Sequence, residues 1–255
     1  MLRALIFDVD GTLADTERDG HRVAFNRAFV DAGLDWCWDV ARYGQLLRIA
    51  GGRERIAHFI ETDAAHVPPD ERDALALRLH VRKTQHYLRM IDTGAVALRP
   101  GVARLLAESH SAGLILAIAT TTTRANVDRL IARTLPAGAA AWFSAIVAAE
   151  DAPAKKPDPQ VYEVALARMQ LLPHECLAFE DSAAGLRSAS AADVPTIVTV
   201  NDYTRDQDFS GALVVIGDLG DPPAPARWIA GAALADAVVD VAQLRAWHRL
   251  AAGSP

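Results

Sequence analysis

The chain has 255 residues, with 26 Lys and Arg against 32 Asp and Glu, for a net charge of −6. Hydrophobic residues make up 51% and charged residues 23%, a balance that excludes a disordered chain and supplies a sizeable core. The acidic excess argues against nucleic acid or anionic membrane as partner, and no apolar run approaches the roughly 20 residues that span a bilayer. Cys37 and Cys176 are far apart and form no metal or redox motif, so both are expected as reduced, buried or half-buried thiols. Met1-Leu2-Arg3-Ala4 runs straight into an apolar strand with no signal-like segment, which predicts a soluble cytoplasmic protein.

In chain order, residues 2–7 are a short apolar run that reads as a strand covered on both faces. The stretch from about 16 to 93 holds no convincing strand. It reads as helices near 16–32, 39–48, 52–61 and 70–90, with Asp70 as the N-cap of the last. Beyond it, helix and strand alternate. Helical spacing covers 101–112, 123–134, 158–170 and 183–192, and strands fall at 114–119, 145–147, 176–179, 196–200 and 212–216. A turn-rich loop starts at Gly217, followed by a strand at 237–241 and a helix at 242–251. The alternation predicts an α/β fold, a doubly wound Rossmann-like parallel sheet, with an all-helical domain inserted after the first strand. The expected boundaries are 1–15 with 94–255 for the sheet domain and 16–93 for the insertion. Ligands of open α/β sheets bind at the carboxyl ends of strands, so an insertion starting there reads as a lid.

Asp8-Val9-Asp10-Gly11-Thr12 follows the first strand, and Glu180-Asp181 follows the fourth. Carboxylates at the ends of buried strands are costly unless something neutralises them. A turn with capping Asp residues would explain the first pair alone, and Ser182 as a cap would soften the second. Together the two pairs call for a divalent cation, and oxygen-only ligands select Mg²⁺. Thr120-Thr121-Thr122-Thr123 at the next strand end offers hydroxyls and free helix amides to an anion. Lysine is scarce: Lys83, Lys155 and Lys156 are the only three among 26 basic residues, so a lysine at a strand-end loop reads as a retained point charge. Metal ligands, a carboxylate nucleophile, hydroxyls and a lysine form a phosphoryl-transfer set.

The ordered series Asp8-Val9-Asp10-Gly11-Thr12-Leu13, Thr120, Lys156-Pro157-Asp158-Pro159 and Glu180-Asp181 resembles the haloacid dehalogenase superfamily of aspartate-nucleophile phosphatases, over essentially the whole chain. The resemblance implies a Rossmann-like core with a helical cap that selects substrate. It implies Asp8 as nucleophile, Asp10 as acid and then base, and Thr120 and Lys156 as holders of the transferring phosphate. It implies Mg²⁺ held by Asp8, the backbone carbonyl of Asp10 and Asp181, with Glu180 in or beside the ligand set. Asp at position 10 favours phosphate chemistry over dehalogenation. The chemistry needs Asp8 ionised while Asp10 carries a proton.

The inserted region would choose the substrate. Glu17 and His21 are four apart, Tyr43 follows, and Arg53 comes after Gly51-Gly52. An Arg there is equally compatible with a solvated helix start. Residues 15–22, Gly33-Leu34-Asp35-Trp36, Gly51-Gly52-Arg53-Glu54-Arg55 and the threonine run resemble the Calvin-cycle-associated CbbY branch, whose members dephosphorylate xylulose 1,5-bisphosphate. The resemblance implies a small phosphorylated sugar as ligand, with Glu17, His21, Tyr43, Arg53, Thr120, Thr121 and Lys156 contacting it and Arg53 on the distal phosphate. Related branches supply the alternatives, a β-phosphoglucomutase-like mutase and a 2-phosphoglycolate phosphatase. Outside enzymes, a non-catalytic sugar-phosphate-binding module has no need for both Asp8 and Asp10. A monomer is the default for such a phosphatase.

Overall fold

The computed structural model describes residues 1–49 and 51–253. The chain divides into two compact units, Met1–Asp15 with Ala97–Pro255, and Thr16–Val96. Strand β1 (Ala4–Phe7) opens the first, and all four of its residues are buried.

The second unit is helical. A five-residue π-turn, Glu17–His21, leads into α1 (Arg22–Asp31), followed by α2 (Val40–Leu46), α3 (Gly52–Thr62) and α4 (Pro69–Asp92). The single helix expected over 16–32 therefore has a widened first turn. Gly20 sits in it against Tyr87, where a side chain would crowd the ring. Asp70 does not cap α4. Proline takes that end, Pro68 as cap and Pro69 at the first helical position, where its missing N–H costs nothing. Trp38 centres the core, with ring centroids 4.8 Å from Phe25, 4.9 Å from Phe29 and 5.4 Å from Phe59. Asn26 fixes its backbone, donating to Trp38 O at 2.9 Å and accepting from Trp38 N–H at 2.8 Å. Side chains alternate along this extended stretch, so Trp36 and Trp38 turn inward and Cys37 turns out. Cys37 is thus exposed, against the expectation of burial.

The first unit continues with α5 (Val102–Ser111), β2 (Ile115–Ala119), α6 (Arg124–Thr134), β3 (Phe143–Val147), α7 (Gln160–Met169), β4 (Cys176–Glu180), α8 (Ala183–Ala191), β5 (Thr196–Thr199), β6 (Val214–Ile216), β7 (Trp228–Gly231) and α9 (Val241–Gly253). The sheet order is β3-β2-β1-β4-β5-β6-β7, parallel except for the β6–β7 pair. β1 lies between β2 and β4 in register, Phe7 pairing with Ile118 and Phe179. The chain winds outward from β1 to one side and then the other, so the switch-point crevice opens at the carboxyl ends of β1, β2 and β4.

The strand expected at 237–241 is not one. Val239 is buried, but its N–H donates to Leu219 O in a loop, and Asp240 caps α9 by accepting from Gln243 N–H at 2.7 Å. The apolar run is the lead-in to a helix. The edge position belongs to β7, whose four residues are all exposed and so carry no burial periodicity.

Candidate active site

Parallel strands in register deliver their next residues to one place. Asp8 follows β1, its N–H still donating to Phe179 O at 3.0 Å. Thr120 follows β2 and is buried, its N–H on Val147 O at 3.0 Å. Glu180 ends β4 and Asp181 comes next. One carboxylate oxygen from each of Asp8, Glu180 and Asp181 lies within 4.8 Å of the others, and all three residues are buried.

Lys156, from the loop between β3 and α7, enters this acidic set. Its ammonium donates to Asp8 Oδ1 at 2.7 Å, Glu180 Oε1 at 2.6 Å and Ala119 O at 2.9 Å. An ammonium has three N–H groups, so all three are engaged by the protein. Burial alone would push Lys156 down, but the facing Asp8 and Glu180 carboxylates outweigh it and hold the ammonium protonated. Asp8 is pushed up to about 7 by burial, against the pull of Lys156 and with added repulsion from Glu180 and Asp10. Burial, then the neighbouring carboxylates of Asp8 and Glu180, also raise Asp181 well above the usual range, with Asn201 Nδ2 donating to its Oδ2 at 2.6 Å in opposition.

The site therefore holds three buried carboxyl groups against the Lys156 ammonium, and among the described residues Glu180 Oε2 is buried with no hydrogen-bond partner. Oxygen-only donors, an excess of carboxylate and an orphaned carboxylate oxygen fit a hard divalent cation. Two glycines make the close approach possible. A Cβ on Gly185 would overlap the Glu180 carboxylate, and one on Gly11, whose φ is +86°, would overlap that of Asp181.

The remaining expected residues divide between the two units. Asp10 is half-buried in the loop after Asp8, and Thr121 is exposed. Thr120 Oγ1 accepts from Thr122 N–H at 3.3 Å, so its hydroxyl is already tied to the threonine loop. Within the helical unit the Tyr43 hydroxyl donates to Glu17 Oε2 and accepts from Arg55 at 3.1 Å. His21 Nδ1 lies 2.9 Å from buried Lys83 Nζ. Arg53 is exposed in the first turn of α3, whereas Arg55 is buried and donates to the carbonyls of Leu46 and Ile49.

Several residues of the site carry no motif. Tyr162 donates to Glu180 Oε1 at 2.5 Å, and burial, with the Glu180 charge, keeps its hydroxyl protonated. Arg99 is buried and donates to the carbonyls of Gly11, Thr199, Val200 and Gly217, tying the loop after Asp8 to the ends of β5 and β6. An Arg next to Pro100 and an Asn just past a strand are the faint sequence signals for Arg99 and Asn201.

The chain as a whole is similar to known proteins. The family model of haloacid dehalogenase-like hydrolases matches residues 2–193. The chain belongs to this family. Within it, CbbY of Cupriavidus necator is 47% identical over 97% of each chain. CbbY of Rhodobacter capsulatus is 50% identical over 86% of this chain and 94% of its own. Among solved structures, CbbY from Rhodobacter sphaeroides in complex with phosphate superposes with a TM-score of 0.75 at 41% identity, covering 84% of this chain and 93% of that one. An Asp-to-Asn variant of the same protein, in complex with xylulose-(1,5)bisphosphate, also gives a TM-score of 0.75, at 40% identity and the same coverage. As a CbbY-type member of the hydrolase family, the protein is a phosphoric monoester hydrolase, a phosphatase. Among the described residues no helix is long and apolar enough to cross a membrane.

Proposed function

We propose that the protein is a Mg²⁺-dependent phosphatase of small sugar bisphosphates, with a ketopentose bisphosphate such as xylulose 1,5-bisphosphate as substrate and an aspartyl-phosphate on Asp8 as intermediate. The observation that carries the chemistry is Asp8 Oδ1 held 2.7 Å from the Lys156 ammonium at the switch point of the sheet. The xylulose bisphosphate complex of a protein 40% identical over most of the chain supports the substrate.

In this reading the Asp8 carboxylate attacks phosphorus, the P–O bond to the sugar breaks, and Asp10 donates its proton to the departing oxygen. Asp10 then takes a proton from water, whose oxygen attacks the acyl phosphate and frees Asp8 and inorganic phosphate. Lys156 offsets the charge of Asp8, and because its three donors are engaged it acts on phosphate as a nearby point charge. Thr120 and Thr121 orient the phosphoryl oxygens. Mg²⁺ held by Asp8, the Asp10 carbonyl, Asp181 and Glu180 would supply further neutralisation of the phosphoryl group.

Residues 16–93 act as the cap domain and 1–15 with 94–255 as the core. Glu17, His21, Tyr43 and Arg53 select the sugar, with Arg53 on the distal phosphate. Binding energy from that remote group favours bisphosphates. Tyr43 is fully buried, and its hydrogen bonds to Glu17 and Arg55 support a role in holding Glu17 in place. We place the enzyme in the cytoplasm as a monomer.

A panel of sugar mono- and bisphosphates, assayed for phosphate release with and without chelator, tests this reading. Turnover is expected to need Mg²⁺ and to be fastest with the ketopentose bisphosphate. Arg53→Ala is expected to lower the ratio of bisphosphate to monophosphate turnover about tenfold, the effect of one lost ion contact of about 1.4 kcal/mol. An unchanged ratio would remove Arg53 from the reading.

A further inference from the structure

We infer that Tyr162 is a positioning residue for phosphoryl transfer: its hydroxyl, acting through Glu180, keeps Lys156 on the Asp8 carboxylate. Tyr162 is fully buried in the first turn of α7, six residues after Lys156. Glu180 Oε1 accepts two bonds, from Tyr162 Oη at 2.5 Å and from Lys156 Nζ at 2.6 Å. Among the described residues the other carboxylate oxygen of Glu180 accepts none. The same tyrosine ring flanks the ammonium, with Lys156 Nζ 5.4 Å from its centroid.

These contacts place Tyr162 on both members of the Lys156–Glu180 pair. Lys156 is shared between two carboxylates at nearly equal distances, 2.7 Å from Asp8 and 2.6 Å from Glu180. How the ammonium divides itself depends on how well each carboxylate is satisfied from elsewhere. The phenol supplies Glu180 with a second donor in a dry environment, where hydrogen bonds to charged groups are strong. Without it, Glu180 draws Lys156 harder, at the expense of the Asp8 contact. The ring is a separate element, a wall that limits where the ammonium moves, and phenylalanine keeps it. Tyr162→Phe therefore isolates the hydroxyl.

The inference rests on phosphoryl transfer at Asp8, but not on the sugar. Its test uses para-nitrophenyl phosphate as substrate for wild type, Tyr162→Phe, Glu180→Gln and the double variant, all with saturating Mg²⁺. Mg²⁺ affinity is measured by calorimetry without substrate, and melting temperature by calorimetric scan. Tyr162→Phe is expected to lower kcat about tenfold with KM within about twofold, and to leave Mg²⁺ affinity within about twofold. The double variant is expected to be no slower than Glu180→Gln, because the hydroxyl acts through that carboxylate. An unchanged kcat, losses that multiply in the double variant, or a loss of rate that only follows unfolding at the assay temperature would each overturn the assignment. Failure of the sugar panel with these relations intact would instead count against the proposed substrate alone.

Discussion

Asp8→Asn is expected to abolish phosphate release, by at least about a thousandfold in kcat, while the protein stays folded. The amide retains an oxygen to accept from Lys156, so the 2.7 Å contact has a replacement. It loses the nucleophile, because a neutral amide oxygen does not displace an alkoxide from phosphorus. Asp8 is buried among carboxylates and is pushed up to about 7, so neutralising it relieves repulsion from Glu180. The melting temperature of metal-free Asp8→Asn is therefore expected to equal or exceed that of wild type. Steady-state phosphate release and a calorimetric scan check both halves. Residual turnover within tenfold of wild type would dispose of Asp8 as nucleophile.

Lys156→Met is expected to cost both stability and rate. Methionine fills a similar volume but leaves Asp8 and Glu180 without the ammonium that lies 2.7 and 2.6 Å away. Removing one partner of a buried ion pair strands the other, at about 3–5 kcal/mol. Here two carboxylates are stranded, which sets the estimate at the upper end of that range in metal-free protein. Urea unfolding in chelator measures it. Turnover is expected to fall by about a thousandfold or more even below the melting temperature, because the nucleophile loses the charge that lowers its proton affinity. A variant with wild-type stability in chelator would mean that the ammonium is not balancing these carboxylates.

The parallel sheet was legible because β1, β2 and the first four residues of β4 are unbroken apolar runs, each followed by a residue that does not belong in a core: Asp8, Thr120 and Glu180. Hydrophobicity marks where a buried strand stops, and the polar residue after it marks the strand end. The same reasoning failed where burial and pairing part company. Val238 and Val239 look like a strand but only precede a helix, while exposed Trp228 and Ile229 form one because β6 offered an open edge. In the site, helical spacing over 158–170 does not single out Tyr162, and the structure puts its hydroxyl on Glu180. Arg53 and Arg55 differ by two positions, about 200° around a helix at 3.6 residues per turn, so one faces in when the other faces out. Composition does not say which. The aromatic core of the helical unit decides it, with the Arg55 guanidinium 5.2 Å from the Tyr43 ring centroid.

The most direct measurement is to stop the wild-type reaction within one turnover by acid quench and map the bound phosphate by peptide mass spectrometry. A single phosphoryl group on the Asp8 carboxylate, stable in acid, labile in base and absent from Asp8→Asn, is the predicted result. Rapid turnover with no trapped phosphopeptide, or a phosphate on another side chain, would contradict capture of phosphorus by the carboxylate that Lys156 holds at the end of β1.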